Sequence, residues 1–464
     1  MTDRTLNKEI FALALPSIIA NITIPIVGMV AIAVVGHLHD DSGFSTAALI
    51  GGISIGSMLF DLMYWNFGFL RTGTGGMTAQ AYGRGDKGEC ADLFVRAEGI
   101  ALMSAAFLIA IQWLVVKFAL FVVHGTPEVE YLASRYFYVR IWASPATLSL
   151  MAIKGWLIGM QDGVRPMITD ITVNVVNVVA SLILALGWNP AGYKGIGFIG
   201  VAWATVIAQY SGLVVGLALI AAKYAPLFAD YTLAKVRGAF HGEGVRLFFR
   251  TNADLFVRSV CFIGIYIGFT TISATFGDVV LATSSIMMQL IMLFSYITDG
   301  FSYAGEALTG RFIGEMKVNM VRRTVLWVFI WSFAVTIVFM LAYGFEGKWM
   351  LGVLTSDSDV LECGSRYLVW LLLMPLIGCA AFTWDGIFTG ATATHNLRDA
   401  MLLAVTLYFA SYFAADTLFN NAHDGELGLH LLLAAYCLHL VVRTVYLCLT
   451  YKKGVLEKVP GTSE

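Results

Sequence analysis

Three acidic residues are the main candidates among those inside long apolar segments of this 464-residue chain, where an ionised side chain costs at least about 2.5 kcal/mol unless it is paired or functional. Asp299 and Glu306 are seven residues apart, which places them on one face of a helix. Asp385 precedes Arg398 by 13 residues, so it lies roughly 20 Å from that helix end. A carboxyl group in such a place can exchange between neutral and charged forms as a cavity opens. We therefore interpret the three as carriers of a proton or a cation, or else as acceptors that fasten neighbouring helices by hydrogen bonds.

A polar stripe follows the fifth apolar segment, where Asp170, Asn174, Asn177 and Ser181 occur at steps of four, three and four. This spacing places all four side chains on one helix face. Together with Asn21 in the first segment, the stripe predicts either a polar chamber in the first half of the chain or hydrogen bonding between helices. We count Asp170 as a fourth candidate for cation coupling and the other four as candidates for a substrate cleft.

Aromatic residues beside glycines are further candidates for a substrate cleft. Trp156 precedes Gly159 and Phe388 precedes Gly390, two corresponding sites of a repeat described below. With Tyr303, these aromatic rings are predicted to receive a flat, lipophilic or cationic ligand.

Arg250, Asp254 and Arg258 are spaced four and four, so Asp254 has an arginine one turn before it and one turn after it. We expect Asp254 to stay ionised between them and the group to be structural.

The elements that must hold these residues are membrane helices. Of the residues, 58% are hydrophobic and 13% are charged, and mean hydropathy is +0.76, which excludes an ordinary soluble domain. The apolar runs predict twelve spans and an all-α integral membrane protein. A net charge of −2 argues against a nucleic-acid partner, and the six cysteines show no ligand spacing, so neither a metal nor a cofactor is expected.

The distribution of basic residues predicts an orientation in the bilayer. With both termini in the cytoplasm, the outer connections hold only Lys194 and Lys348. The inner connections hold Arg84, Lys87, Arg165, Lys223, Lys235, Arg237, Lys317, Arg322, Arg323 and Arg398. Compact loops and the absence of a recognisable targeting segment favour a bacterial inner membrane.

The chain also repeats itself. Ser134-Arg135-Tyr136 recurs as Ser365-Arg366-Tyr367, a shift of 231 residues. The same shift superposes several other residues, namely Asn21, Gly83, Gly155, Gly159 and Gly197 on Asn252, Gly314, Gly386, Gly390 and Gly428. We predict two parallel six-helix lobes, 1–222 and 246–464, joined by a cytoplasmic loop at 223–245. Such lobes suit alternating access about a central site, and a monomer is expected.

Several motifs in both halves resemble the multidrug and toxic compound extrusion (MATE) family, in its DinF branch. The motifs are Val35-Gly36-His37-Leu38, Leu70-Arg71, Thr78-Ala79-Gln80-Ala81-Tyr82-Gly83, Gly155-Trp156-Leu157-Ile158-Gly159, Asp299-Gly300-Phe301-Ser302-Tyr303-Ala304-Gly305-Glu306 and Asp385-Gly386-Ile387-Phe388-Thr389-Gly390-Ala391-Thr392. The resemblance implies a fold of two lobes arranged in a V. It also implies that the protein is a transporter rather than an enzyme, and that it exports organic cations or amphiphiles in exchange for protons or sodium ions.

Two departures from that family's pattern concern the first lobe. The acid common in the first span is replaced, since Val30 is followed by Ala31 and Ile32, and a second acid is absent at Ser181. We therefore expect ion coupling to lie with Asp299, Glu306 and Asp385 in the second lobe. The alternatives are an exporter of a specific metabolite, including an anionic one, and a flippase of lipid-linked sugars. A membrane enzyme would need a polar constellation at one interface that the sequence does not display.

Overall fold

The computed structural model describes residues 2–38, 44–122, 126–187, 193–229, 231–241, 243–355, 357–419 and 425–459. The described helices are α1 Asp3–Gly36, α2 Thr46–Trp65, α3 Phe69–Arg84, α4 Lys87–Val122, α5 Pro127–Arg140, α6 Ser144–Gly159, α7 Val164–Ser181, α8 Phe198–Phe228, α9 Leu233–Ala239, α10 Glu243–Ala274, α11 Asp278–Gly314, α12 Val318–Leu354, α13 Ser358–Arg366, α14 Leu368–Gly390, α15 Thr394–Phe419 and α16 Gly425–Gly454.

Twelve of the described segments are long and apolar enough to cross a bilayer, which confirms the predicted number of spans. One span consists of α2 and α3 with a break at residues 66–68, and another consists of α5 and α6 with a single 3-10 turn at Ile141–Ala143. The sequence predicts the tenth apolar run at about 359 to 391, whereas the tenth span begins at Leu368. The reason is that Asp357 accepts hydrogen bonds from the backbone N–H groups of Asp359 and Val360 and so starts the separate short helix α13.

The parallel repeat is visible in the backbone. Of the described residues with positive φ, four form two corresponding pairs, namely Gly85, Gln161, Met316 and Thr392 with φ of 72°, 62°, 58° and 50°. Gly85 and Met316 differ by 231 positions, as do Gln161 and Thr392. A left-handed residue ends a helix by satisfying its last carbonyl groups, so corresponding helices of the two halves end in the same way.

The same symmetry governs close helix contacts within the lobes. A Cβ atom on Gly155 would lie 2.1 Å from the carbonyl oxygen of Arg71, and one on Gly386 would lie 2.0 Å from that of Ser302. Both residues of the first pair are shifted by 231 to give the second. Helices α3 and α6 therefore cross as closely as α11 and α14, and glycine is required at both crossings.

A second set of close contacts joins the lobes. A Cβ atom on Gly83 would lie 2.1 Å from the carbonyl oxygen of Arg311, and one on Gly314 would lie 2.3 Å from that of Gln80. These residues are at the ends of α3 and α11, on the face that also carries the start of α1 and the end of α16. We call this the terminal face.

Gly386→Ala is expected to destabilise the protein by about 3 kcal/mol or more, because its methyl group meets a backbone carbonyl that cannot move aside. The measurement is thermal unfolding of the detergent-purified protein. Gly352→Ala is the matched control, since no atom lies within 4 Å of its added Cβ. A Gly386→Ala protein as stable as the control would show that α11 and α14 are not in this contact.

Candidate functional site

An ion pair joins the two lobes at the centre of the molecule. The Arg71 guanidinium on α3 has its Nη1 atom 3.3 Å from Glu306 Oε2 on α11, and its Cζ atom lies 4.1 Å from the ring centroid of Tyr303. The Glu306 side chain is 1% exposed. Its Oε1 atom has no hydrogen-bond partner among the described residues and lies against Gly75. The sequence analysis includes Arg71 in a motif but does not predict its pairing with Glu306, which lies 235 residues later in the chain.

Asp299 differs from the other acids of this region. It interacts electrostatically with Arg71, Lys154 and Arg258, and with Asp385 of α14. Within the described residues, however, no cationic nitrogen lies within 4 Å of its carboxylate. Asp299 and Glu306 lie on one face of α11, as their spacing predicts, but only Glu306 has a direct ion partner.

Asp170 is paired with a cation that the sequence analysis missed. Lys154 Nζ on α6 lies 2.6 Å from Asp170 Oδ2 on α7. Lys154 stands inside a predicted span, directly before Gly155, so a lysine within an apolar run was the signal that could have found it. The negative charge of Asp170 in the first lobe is therefore compensated by the ammonium group of Lys154.

Asp385 is held between two arginines on different helices. Its Oδ2 atom lies 2.5 Å from Arg258 Nη2 on α10 and 2.6 Å from Arg443 Nη2 on α16. The Asp385 and Arg443 side chains are 15% and 3% exposed. Among these three residues one carboxylate faces two guanidinium groups, and Asp299 of α11 interacts electrostatically with Arg258 as well.

The predicted group of Arg250, Asp254 and Arg258 is wrong in its pairing. Asp254 Oδ1 accepts a hydrogen bond from Arg398 Nη1 at 2.6 Å, and its Oδ2 accepts one from Thr394. Arg258 reaches Asp385, and Arg250 is exposed. The physical reason is that α10 packs against α15, so partners on neighbouring helices compete with those one turn away along the same helix.

The polar residues of the first lobe are largely satisfied by hydrogen bonds between helices. Asn21 Nδ2 donates to the Tyr296 carbonyl of the other lobe at 3.0 Å. Asn177 Nδ2 donates to Thr205 Oγ1 at 3.1 Å and accepts from Ser181 Oγ at 3.3 Å. Asn174 donates to the Thr23 hydroxyl. Of the two interpretations of the polar stripe on α7, a polar chamber or hydrogen bonding between helices, these contacts agree with hydrogen bonding.

Trp156 and Phe388 do not line a cleft in this conformation, contrary to the prediction. Both are completely buried within their lobes. The Trp156 indole N–H donates to the Cys90 carbonyl at 2.8 Å, and Phe388 packs edge-on against Trp384. Their neighbouring glycines permit close helix crossings, which leave no open space beside the rings. Tyr303, by contrast, lies at the lobe interface under Arg71.

Arg140 marks a second polar region that the sequence analysis did not single out. Its Nη1 atom donates to Ser57 Oγ and to Tyr136 Oη, each at 3.2 Å, and its Cζ lies 4.7 Å from the Phe60 ring centroid. Asp61 interacts electrostatically with Arg140 and with Tyr266 of the other lobe. This group lies on α2 and α5, nearer the face opposite the termini.

The lobes are closed at the terminal face. Gln80 Nε2 donates to the Gly390 carbonyl and Gln161 Nε2 donates to the Ala307 carbonyl, both at 2.9 Å and both between lobes. Arg311 of α11 forms a 3.2 Å ion pair with Glu9 of α1. These contacts hold the two lobes together at the terminal face.

A further ionic group lies at the terminal face, outside the spans. Burial alone would raise the pKa of Asp162, but hydrogen bonds from Lys223 and Arg165 outweigh burial and hold the pKa below its ordinary value. Lys223 Nζ lies 2.8 Å from Asp162 Oδ2, and the Tyr224 hydroxyl donates to the same atom at 3.2 Å. A lowered pKa in the folded state means that this stability is present above the ordinary carboxyl pKa and is lost as pH falls through the folded value.

Asp162→Asn is therefore expected to lower the free energy of unfolding at pH 7 by about 1.5–3 kcal/mol, the magnitude of a hydrogen bond to a charged group. The difference from wild type should shrink as pH falls below about 4, where Asp162 of the unfolded chain becomes protonated, and should disappear once pH falls below the lowered pKa of the folded protein. Thermal unfolding across pH measures both effects, with the exposed Asp359→Asn as the control. A difference that stays constant with pH would contradict the assignment.

Two similar bundles, closed at one face, with charged side chains where the bundles meet, define a polytopic membrane transporter. Residues 16–183 and 255–410 match the MatE family. The chain belongs to the MatE family.

Relatives and solved structures agree with this assignment. The chain is 29% identical over 424 residues to the DNA damage-inducible protein F of Escherichia coli, covering 90% of this chain and 87% of that protein. It is 23% identical over 333 residues to the Protein DETOXIFICATION 43 of Arabidopsis thaliana, covering 71% of this chain and 57% of that protein.

Two solved structures show the same fold. A crystal structure of MATE in the bent conformation superposes with a TM-score of 0.79 at 15% identity, covering 98% of this chain and 95% of that one. A MOP superfamily transporter from Pyrococcus furiosus, described as having a binding pocket of reverse polarity, gives 0.77 at 17% identity and covers 98% and 96%.

Proposed function

We propose that this transporter exports organic cations or amphiphilic molecules by alternating access, in exchange for protons or sodium ions that bind to the carboxylates of α11. The observation that carries the proposal is Asp299, a carboxylate with cations around it but no direct ion partner among the described residues. Such a group can take up a proton or a sodium ion without first breaking a salt bridge.

Glu306 supports the proposal because its ion pair crosses between the lobes. When lobes rock apart at the terminal face, Arg71 and Glu306 must separate or move together. Leaving one charge of a buried pair without its partner costs about 3–5 kcal/mol. Uptake of a proton or a sodium ion by Glu306 compensates the carboxylate once Arg71 has moved away from it, so the opening of the lobes is linked to ion binding.

The first lobe offers less support for ion coupling. Ala31 and Ser181 carry no acid, and Asp170 is compensated by Lys154. Asp385 is compensated by two arginines, so we leave it out of the coupling step. In this proposal α11 supplies the coupling residues, and Tyr303, which lies at the lobe interface, contributes to the substrate path. We also place both termini in the cytoplasm, the chain in a bacterial inner membrane, and the functional unit as a monomer.

One observation favours a second candidate function, the export of an anionic metabolite. The cluster of Arg258, Asp385 and Arg443 has two positive charges against one negative charge. Such a cluster repels a cationic substrate and attracts a carboxylate or phosphate group.

The test is efflux from proteoliposomes that hold the purified protein, with a proton or a sodium gradient imposed separately. Export of a fluorescent organic cation driven by one of the gradients supports the first proposal. If neither gradient moves the cation but one moves a fluorescent organic anion of similar size, the second candidate replaces it. Protein-free liposomes supply the background rate.

A further inference from the structure

Asp61 is an acidic residue inside a membrane span that the proposed ion coupling does not use. It lies on α2 and interacts electrostatically with Arg140 of α5 in its own lobe. It also interacts with Tyr266 of α10 and Tyr296 of α11, both in the other lobe. Because its neighbours belong to both lobes, the Asp61 side chain faces the space between them. The side chain is exposed, so this space is open beside it.

Aromatic rings from both lobes meet next to this acid. Trp65 follows Asp61 by four residues, which places both side chains on the same face of α2. The Trp65 ring packs edge-on against Tyr266, with ring centroids 5.4 Å apart, and against Phe262 at 6.1 Å. Phe262 and Tyr266 are themselves one turn apart on α10. The carboxylate of one lobe is therefore flanked by aromatic residues of both.

The polar groups of this place retain their capacity to bind a ligand. Among the described residues, the Asp61 carboxylate has no cationic nitrogen within 4 Å and accepts no hydrogen bond, and the Tyr266 and Tyr296 hydroxyls form none. Arg140 offsets part of the cost of a charge within the span, but its Nη1 group donates to two hydroxyl groups of the first lobe and not to Asp61.

The lobes part on the side of this place that is away from the terminal face. Ser285, Gln289, Tyr296 and Glu306 lie on one face of α11, because their spacings are close to whole numbers of helical turns. Glu306 on this face is buried against the first lobe, whereas Gln289 and Ser285, nearer the start of α11, are exposed. Tyr296 lies between the buried and the exposed part, where it interacts with Asp61.

This combination of groups fits an organic cation. A carboxylate and the electron-rich faces of aromatic rings both attract positive charge, and the rings also receive an apolar body. A calcium ion would need six or more oxygen ligands, which one carboxylate and two phenol groups do not supply. An anionic ligand would be repelled by the carboxylate at the centre of the group.

We propose that Asp61, Trp65, Tyr266 and Tyr296, called here the aromatic site, bind the charged centre of an organic cation such as a quaternary ammonium or phosphonium ion. The inference rests on the proposed export of organic cations and specifies where the substrate's positive charge is recognised. It assigns substrate recognition to α2, α10 and α11 near Asp61, apart from the coupling carboxylates Asp299 and Glu306.

The experiment is equilibrium binding of tritiated tetraphenylphosphonium to the purified full-length protein in a non-ionic detergent, measured by scintillation proximity without any ion gradient. Excess unlabelled tetraphenylphosphonium defines the background. We expect saturable binding to wild type and about tenfold weaker binding to Asp61→Asn, which keeps the size of the side chain and removes its charge. Glu128→Gln is the matched control, since Glu128 is an exposed carboxylate of the same lobe at the start of α5, and its affinity should equal that of wild type.

A pair of variants at Trp65 tests the aromatic part and decides the question if Asp61→Asn elutes as an aggregate. Trp65→Leu keeps an apolar side chain but removes the ring, so we expect about fivefold weaker binding. Trp65→Phe keeps a ring at the same position and should retain most of the affinity. Equal affinities of the two variants would show that the ring does not contact the cation.

Two results would overturn the inference. If wild type shows no saturable binding of tetraphenylphosphonium, the aromatic site is not a site for organic cations. If Asp61→Asn binds as tightly as wild type, the cation is bound elsewhere. Neither result decides the proposed function, because gradient-driven efflux is measured separately, and a cation that is exported without binding at Asp61 refutes only its location.

Discussion

Asp299→Asn is expected to abolish gradient-driven export while leaving downhill exchange of substrate across the membrane. The substitution keeps the size of the side chain and removes its capacity to take up a proton or to ligate a sodium ion. The cations near it, Arg71, Lys154 and Arg258, each keep another contact, so the lobe interface should remain assembled. Parallel assays of gradient-driven efflux and of substrate counterflow, in the same proteoliposomes, measure the two activities separately.

Asp278→Asn is the matched control for this prediction. Asp278 begins the same helix but is exposed, so its neutralisation should leave both activities at the wild-type rate. Retention of gradient-driven efflux by Asp299→Asn would remove this residue from the coupling step. Loss of counterflow as well as efflux would mean that Asp299 contacts the substrate or maintains the interface, which also contradicts a role confined to ion coupling.

Asp385→Asn is expected to destabilise the protein by about 3–5 kcal/mol, because Arg258 and Arg443 lose the charge that compensates them inside the lobe. The measurement is the melting temperature of the purified protein. If the variant is too unstable to purify, its monodisperse fraction after detergent extraction serves instead.

A double variant separates this charge effect from a packing effect. Asp385→Asn combined with Arg258→Gln has the same net charge as wild type in this cluster, so part of the lost stability should return. Glu362→Gln is the surface control, since its ion pair with Arg366 is 73% and 50% exposed and should contribute no more than about 1 kcal/mol. If Asp385→Asn instead retains wild-type stability and loses only gradient-driven export, Asp385 is a coupling residue and the structural interpretation is wrong.

Much of the architecture could be predicted from sequence because the relevant forces act over short stretches. A bilayer selects apolar segments of about 20 residues whatever their neighbours, so twelve spans could be counted before any helix was placed. The shift of 231 residues relates left-handed turns and glycine crossings, since both depend on backbone geometry at single positions. The placement of Asp299 and Glu306 on one face of α11 followed from helical periodicity alone.

Only the tertiary structure determined which acidic side chain forms an ion pair with which basic side chain. Glu306 contacts Arg71 of the other lobe, Asp170 contacts Lys154 and Asp385 contacts Arg443, and none of these partners is a neighbour in the sequence. An ion pair between helices depends on how each helix is rotated and where the two cross, which periodicity within one helix does not specify. For the same reason the aromatic residues Trp156 and Phe388 were predicted to line a cleft but lie in the lobe cores. The sequence by itself determined which residues enter the membrane, and the packing of the helices determined which of their charges are compensated there.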